Sequence, residues 1–275
     1  METITLFDTP QATPVAKPRR PAWLKARAPM GENYEDVQEL MRDLDLHTVC
    51  EEARCPNIGE CWNNRTATFL LLGDTCTRGC RYCAIGKGKP KPIDEQEPER
   101  IAEAVAHLQL KHVVLTAVNR DDQADGGAHI FAESIRLIRE RIPQCRVEVL
   151  IPDFDGNWAA LGIVMDALPD VLNHNIETVP RLFRRFRPRA GFEQSLELLR
   201  LARELRPSII TKSGMMVGAG ETDAEVLEVM DALRRSDVDV MTIGQYLSPT
   251  GDHWPIDRYV TPETFVWYKA EALAR

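Results

Sequence analysis

Two cysteine triplets carry most of the chemistry available to this chain: Cys50, Cys55 and Cys61, then Cys76, Cys80 and Cys83, together six of its seven cysteines. The second triplet lies in the segment CTRGCRYC, with three and then two intervening residues and Tyr82 just before the last cysteine. Three thiolates at that spacing can each hold one iron of a [4Fe–4S] cube and leave the fourth iron without a protein ligand, which makes that iron a reaction site. Zinc is the competing use of soft thiolates, but zinc ribbons repeat a paired CxxC step and only Cys80 and Cys83 make one here. A disulfide framework suits small secreted domains; this chain has 275 residues and its first residues do not form a signal peptide. Cys145 stands alone before the apolar run VEVLIP and reads as a buried free thiol.

The elements that must position these thiols are legible in outline. Pro10, Pro14, Pro18, Pro21 and Pro29, interleaved with Lys17, Arg19, Arg20, Lys25 and Arg27, predict an extended arm over residues 1–32. The stretch YEDVQELMRDLDL has helical periodicity and leads into the first triplet, giving an N-terminal extension over 33–64. From residue 65 to 275, the strand candidates TATFLLLG, KHVVLTAV, RVEVLI, DVLNHNI, IITKSGMMVG and DVDVMTIGQY alternate with helical segments. Those helices are expected near 97–110, 128–142, 157–167, 193–205, 222–236 and 262–275. Six βα units predict an α/β fold with a parallel sheet and right-handed crossovers, a partial (βα)6 barrel rather than a closed one of eight. Reactive residues in such architectures gather at the carboxyl ends of the strands, and CTRGCRYC follows the first strand.

Composition narrows the function classes. A net charge of −8 and a pI near 5.4 argue against nucleic-acid binding through overall charge. No apolar run approaches the roughly 18 residues of a membrane span, and 44% hydrophobic content is enough for a substantial core. Glu2 and Asp8 set the first residues apart from acid-poor transit peptides, so a cytoplasmic location with reduced thiols is expected.

CxxxCxxC with an aromatic before its third cysteine, after the first strand of a βα barrel, resembles the radical S-adenosylmethionine superfamily. CEEARCPNIGEC, with four and five intervening residues, is similar to the auxiliary-cluster motif of the lipoyl synthase family. TATFLLLGD, the RDD and DGGA of 120–128, EVLIPDF, NHNIETVPRL, TKSGMMVG and TIGQYLSPT match the same family, so the resemblance runs from about Pro29 to the C-terminus.

This resemblance implies a sulfur-insertion enzyme with two [4Fe–4S] clusters and S-adenosyl-L-methionine. Its substrate would be an octanoyl group on a lysine of a lipoyl carrier domain or of the glycine cleavage H protein, with sulfur added at carbons 6 and 8. Cys76, Cys80 and Cys83 would hold the cube that binds S-adenosylmethionine and passes one electron to its sulfonium, releasing methionine and a 5′-deoxyadenosyl radical. Cys50, Cys55 and Cys61 would hold the auxiliary cluster that gives up its sulfur. A reduced flavodoxin or ferredoxin would supply electrons, and an iron–sulfur cluster carrier would rebuild the donor. The chemistry is consistent with this, since an unactivated C–H bond lies beyond acids, bases and side-chain nucleophiles.

By the same resemblance, Gly126 and Gly127 occupy a glycine-rich turn for the cofactor's methionine end, and Tyr82 lies near its adenine. Thr116, Asn119 and Asp121 near the end of the second strand are expected to contact the cofactor, and Arg120 with Asp122 reads as an ion pair. His174, Asn175 and Glu177 after the fourth strand, with Lys212 and Ser213 in the fifth, point inward to the cofactor or equally well form an internal polar network. The run Arg181, Arg184, Arg185, Arg187 and Arg189 is either a solvated helix face or a surface for an acidic carrier domain. GMMVGAG lacks the GxGxxG spacing of a nucleotide fingerprint.

Two other readings of the cysteines compete with this one. A non-catalytic carrier with two cubes would need eight ligands, more than six clustered cysteines provide. Another radical sulfurtransferase would not place auxiliary cysteines upstream of the main motif. Lipoyl synthases usually continue to an Arg-Ser-Ser-Tyr segment whose serine completes the auxiliary cluster, whereas this sequence ends at EALAR, and Arg234-Arg235-Ser236-Asp237 does not match it. The expectation for this chain is therefore a complete radical half and a sulfur-donor half short of one ligand.

Overall fold

The computed structural model describes residues 19–275, so Pro10, Pro14, Lys17 and Pro18 of the expected arm lie outside the described residues. The chain opens with three helices, α1 (Glu32–Asp43), α2 (Val49–Glu52) and α3 (Ile58–Asn63). Val37, Met41 and Trp62 are fully buried between α1 and α3, and Tyr34 packs its ring 5.0 Å from that of Trp62. The extended residues between α1 and α2 then reach the first strand, β1 (Thr68–Leu71): Thr48 bridges antiparallel to Phe69, and the Leu70 amide donates to the His47 carbonyl at 2.9 Å. The N-terminal extension thereby covers part of an otherwise bare strand edge.

After β1 come a pair of two-residue strands, β2 (Thr75–Cys76) and β3 (Gly86–Lys87), and then alternating helices and strands. In order these are α4 (Glu97–His107), β4 (His112–Ala117), α5 (Ala128–Arg141), β5 (Arg146–Leu150), α6 (Trp158–Asp166) and β6 (Val171–Asn173). They continue with α7 (Pro180–Phe186), α8 (Phe192–Leu205), β7 (Ile210–Val217), α9 (Asp223–Arg235), β8 (Val240–Gln245) and α10 (Pro262–Leu273).

The main sheet has six parallel strands in the order β1-β4-β5-β6-β7-β8, the partial barrel that six βα units imply. Among the described residues no ladder joins β8 back to β1, so the sheet stays open along that seam. Strand alternation puts Val113 and Leu115 of β4 and Val147 and Val149 of β5 into a fully buried layer with Ile101, Ile135, Leu161 and Leu198 of the helices. On the opposite face of the sheet, Glu148 is held by Lys212 at 2.8 Å and Asn173 at 3.1 Å.

Three features depart from the sequence-based expectation. The fourth strand is only Val171–Asn173, because the chain leaves the ladder at His174 and turns at Glu177, whose φ is 67°. α7 is a helix with a buried apolar face of Leu182, Phe183 and Phe186, started by Pro180, within a stretch that reads in sequence as a basic run. The β2–β3 ladder is too short to leave a periodicity.

Candidate functional site

The loop from Leu72 to Ile85 carries the second triplet, and each part of it is fixed from a different element. At its start Leu72 and Gly73 adopt left-handed backbone, with φ of 70° and 88°. The buried Glu97 carboxylate, at the start of α4, accepts the Leu72 amide at 2.8 Å. Burial pushes this carboxyl up to about 7, against the pull of the Leu72 N–H, His47 and Arg100. The Arg120 guanidinium, paired with Asp122 at 2.9 Å, donates to the Leu72 carbonyl.

Further along, the Thr77 amide and hydroxyl both donate to the Asn119 carbonyl, at 3.1 and 3.0 Å. Arg78 is buried and binds three carboxylates beyond the carboxyl ends of β4 and β5: Asp121 at 2.7 Å, Asp153 at 2.7 Å and Asp155 at 3.5 Å. Burial disfavours its charge, but Asp121 and Asp153 outweigh that and hold the guanidinium above its ordinary range. Three N–H groups converge on the Cys76 sulfur: the amides of Arg78 and Asn119, each at 3.4 Å, and the Asn119 side chain at 3.8 Å.

The far half of the loop is held by α7 and by the chain that follows β8. The Arg81 amide donates to the Phe186 carbonyl at 2.9 Å, and Tyr82 stacks on Phe186 with centroids 4.7 Å apart. The Trp254 amide donates to the Arg81 carbonyl at 2.8 Å. His253 Nε2 donates to the Cys83 carbonyl at 3.1 Å, which fixes the tautomer because a carbonyl only accepts. The outermost strands do not pair, but their following loops are joined at the mouth.

Burial raises the Cys80 thiol and pushes Cys83 up to about 12, the latter partly offset by the Ile85 amide, and each is raised further by the neighbouring thiols of the triplet. In the first triplet burial raises Cys50, against the pull of the Thr68 amide, and Cys55 and Cys61 add to the rise. All six cysteines are free. Among the described residues no three His, Cys, Asp or Glu side chains converge closely enough to share one metal ion. A cube spreads three ligands over three irons, and thiols grouped in threes with backbone N–H donors to the Cys76, Cys83 and Cys50 sulfurs fit an anionic iron–sulfur cluster, with the Glu177 carboxyl beside Cys80 and Cys83.

The remaining expected site residues are distributed as follows. Thr116 donates its hydroxyl to the Leu150 carbonyl at 2.8 Å. Asn119 places its amide nitrogen toward Cys76, and its buried Oδ1 has no partner among the described residues. Asp121 is engaged by Arg78 and Thr77. Gly126 and Gly127 have φ of 61° and 84°, and a side chain on either would run into Phe154 or Leu72. Asn175 and Glu177 lie beyond β6, where burial raises the Glu177 carboxyl while Arg187, Asn175 and Tyr82 stabilise its charge. Lys212 lies away from this mouth, near the amino end of β7, in its pair with Glu148.

His174 and Ser213 belong to an internal network: His174 binds the Ile151 carbonyl at 2.8 Å and Ser195 at 3.1 Å, and the Ser213 hydroxyl donates to the His174 carbonyl. The basic run divides. Arg187 is buried against the Asn175 carbonyl at 2.8 Å, Arg181 pairs with Glu225, and Arg184, Arg185 and Arg189 are exposed.

Sequence reasoning missed Arg78, Glu97, Asp153, His253 and Trp254. Asp153 and Arg78 had a usable signal, one following a strand and the other sitting inside the cysteine motif, but nothing local marks either as buried.

Residues 70–233 match the model of the radical SAM superfamily, and residues 9–55 match that of the N-terminal domain of lipoyl synthase. A lipoyl synthase of Chloroflexus aggregans is 73% identical over 266 residues, covering 97% of this chain and 87% of the relative. Lipoyl synthases of a Roseiflexus species and of Koribacter versatilis are 71% and 58% identical, covering 95% and 94% of this chain and 87% and 86% of the relatives. Among solved structures, methylornithine synthase aligns with a TM-score of 0.58 at 13% identity, covering 88% of this chain and 70% of that one. Streptococcus suis SuiB bound to S-adenosylmethionine aligns with a TM-score of 0.59 at 9% identity, covering 88% and 53%. At such identities these two structures speak for the fold alone.

Proposed function

Because the chain belongs to the lipoyl synthase family of the radical S-adenosylmethionine superfamily, we propose that its two cysteine triplets divide one reaction: sulfur insertion at carbons 6 and 8 of a carrier-bound octanoyl group. The observation that carries this reading is the placement of the triplets about a single strand. Cys50 sits beside the Thr68 amide where β1 begins, and Cys76, Cys80 and Cys83 lie in the loop beyond its end.

A cube on Cys76, Cys80 and Cys83 with S-adenosylmethionine supplies, when bound, the one-electron chemistry that an unactivated C–H bond demands. The protein's own part is orientation and shielding. Asn119 offers Oδ1, a buried acceptor with no partner among the described residues, to the cofactor's amino group. Gly126 and Gly127 hold the left-handed turn before α5 in close packing against Phe154 and Leu72, and the backbone of that turn faces the cofactor's methionine end in this reading. Tyr82 and Glu177 form the wall on the β6 side, and Asn175 fixes the Glu177 carboxyl. Asp121 acts through Arg78, and Thr116 completes the proposed set from β4, whereas Lys212, held by Glu148 near the amino end of β7, stands outside it.

Cys50, Cys55 and Cys61 hold a second cluster as the sulfur source, within an extension over residues 33–64 appended to the barrel of 65–275. The substrate is an octanoylated lipoyl carrier domain or H protein, the reductant a reduced flavodoxin or ferredoxin, an iron–sulfur carrier restores the spent cluster, and the setting is the cytoplasm. Among the described residues no helix is long and apolar enough to cross a membrane.

Iron and sulfide analysis after anaerobic reconstitution tests the division. The wild type should hold about eight irons, and a triple alanine variant of either triplet about four. Loss of all iron from one triple variant, or none from the other, contradicts the two-cluster assignment.

A further inference from the structure

Two stretches of this chain contain cations and no acidic residue: Thr75–Ile93, with Arg78, Arg81, Lys87, Lys89 and Lys91, and Val179–Gly191, with Arg181, Arg184, Arg185, Arg187 and Arg189. In a chain of net charge −8 that is a local reversal of sign. The fold brings the two together. The Arg81 amide binds the Phe186 carbonyl at 2.9 Å, and the Arg81 and Arg185 guanidinium groups lie 5.5 and 5.4 Å from the centroid of the Trp254 ring. Arg78 and Arg187 are buried and Arg181 is paired with Glu225, but Arg81, Lys87, Lys89, Lys91, Arg184 and Arg185 are exposed. Among the described residues none of those six is in an ion pair. Arg81 lies between Cys80 and Cys83, and Lys87 sits opposite Cys76 in the β2–β3 ladder, so this basic face is the outer surface of the cluster loop itself.

We propose that this face docks a small acidic protein that delivers one electron, from a flavin or an iron–sulfur centre, to the cluster held by Cys76, Cys80 and Cys83. One electron leaves the donor, which is oxidised by one electron, and enters the oxidised cluster; no atom or proton crosses the interface. The proposal rests on the cluster assignment above. An electron donor needs only proximity to the loop, which exposed cations on the loop provide. An octanoyl chain has to reach the barrel interior, which is a different demand. Exposed, unpaired cations also accelerate encounter with an anionic partner at little cost to folding.

The test is stopped-flow reduction of the anaerobically reconstituted full chain by reduced flavodoxin, followed by bleaching of the cluster absorbance. Wild type is compared with the triple variant Lys89→Glu, Lys91→Glu, Arg184→Glu and with its glutamine counterpart, none of these positions touching the proposed cofactor site. The bimolecular rate constant should fall about tenfold or more in the charge-reversed variant and less in the glutamine one. Added salt should slow the wild type and not the reversed variant. Reduced methyl viologen, a small cation, should reduce all three proteins without slowing.

Unchanged rates with flavodoxin overturn the proposal, as does equal slowing with methyl viologen, which would indicate a distorted loop. If the variants instead lose lipoyl product at saturating methyl viologen while flavodoxin rates hold, the face serves the octanoyl carrier and the proposal fails. A wild type that makes no sulfur-inserted product, with the flavodoxin effect intact, counts against the reaction assigned above and still supports this face.

Discussion

At the scale of residues, the account separates groups that hold iron from groups that hold the loop. Replacing Cys76, Cys80 or Cys83 with alanine should abolish 5′-deoxyadenosine formation from S-adenosylmethionine, whereas Cys50→Ala, Cys55→Ala or Cys61→Ala should leave it largely intact and abolish sulfur insertion. Chromatography for the nucleoside and mass spectrometry of an octanoylated peptide read the two outcomes; lipoyl product from Cys55→Ala refutes the donor role. Arg78 is the loop-holding counterpart. Arg78→Met strands the buried carboxylate of Asp153 and that of Asp121, and should cost about 3–5 kcal/mol of unfolding free energy. Arg78→Lys, which keeps the charge without the planar fork, should fall between. A loss under about 1 kcal/mol in anaerobic denaturant titration would mean that the carboxylates find other partners. The thiols were legible because spacing is written in sequence. Arg78 was not, because burial of its guanidinium depends on Asp121, Asp153 and Asp155, which lie 43, 75 and 77 residues away.

At the scale of elements, α4 both covers the sheet and anchors the start of the cluster loop through Glu97. That carboxyl is raised to about 7 by burial, so the native state keeps a proton that the unfolded chain releases near 4.5. Its contribution to stability is therefore fully present below pH 4.5 and is lost as pH rises through 7, by up to about 3 kcal/mol. Glu97→Gln keeps an acceptor for the Leu72 amide and removes the titration. Stability measured from pH 5 to 8 should flatten in that variant, and an unchanged slope would place the pH dependence elsewhere. His174 gives the opposite sign: burial, then Arg187, lowers it to about 4, so its contribution is present above 6.5 and is lost as pH falls toward 4. Long periodic elements such as α5, α8 and β7 were readable from their patterns. β6 was readable as a strand but not in its length, since three ladder residues carry no period, and α7 was not readable, because its arginines mask the spacing of Leu182, Phe183 and Phe186.

At the scale of the whole molecule, an open six-stranded sheet has its two ends joined where it matters. The N-terminal extension is fastened to the free edge of β1, and the loop after β8 reaches across to the cysteine loop through His253 and Trp254. Six βα units in the sequence were enough to indicate a partial barrel. The closure at the mouth was not, because His253 and Cys83 are 170 residues apart and neither belongs to a repeating pattern. Both attachments converge on β1, with one triplet at each end of it, and on that arrangement rests the claim that one chain initiates the radical and supplies the sulfur. The most direct test is mass spectrometry of an octanoyl-lysine peptide after anaerobic incubation with the reconstituted chain, S-adenosylmethionine and a low-potential reductant, with 5′-deoxyadenosine counted in parallel. The account predicts a product with two sulfurs in place of two hydrogens and about two nucleosides per product, one for each C–H bond broken. Sustained deoxyadenosine release with the octanoyl peptide unchanged, both by this chain and by one extended with an Arg-Ser-Ser-Tyr segment, would contradict it.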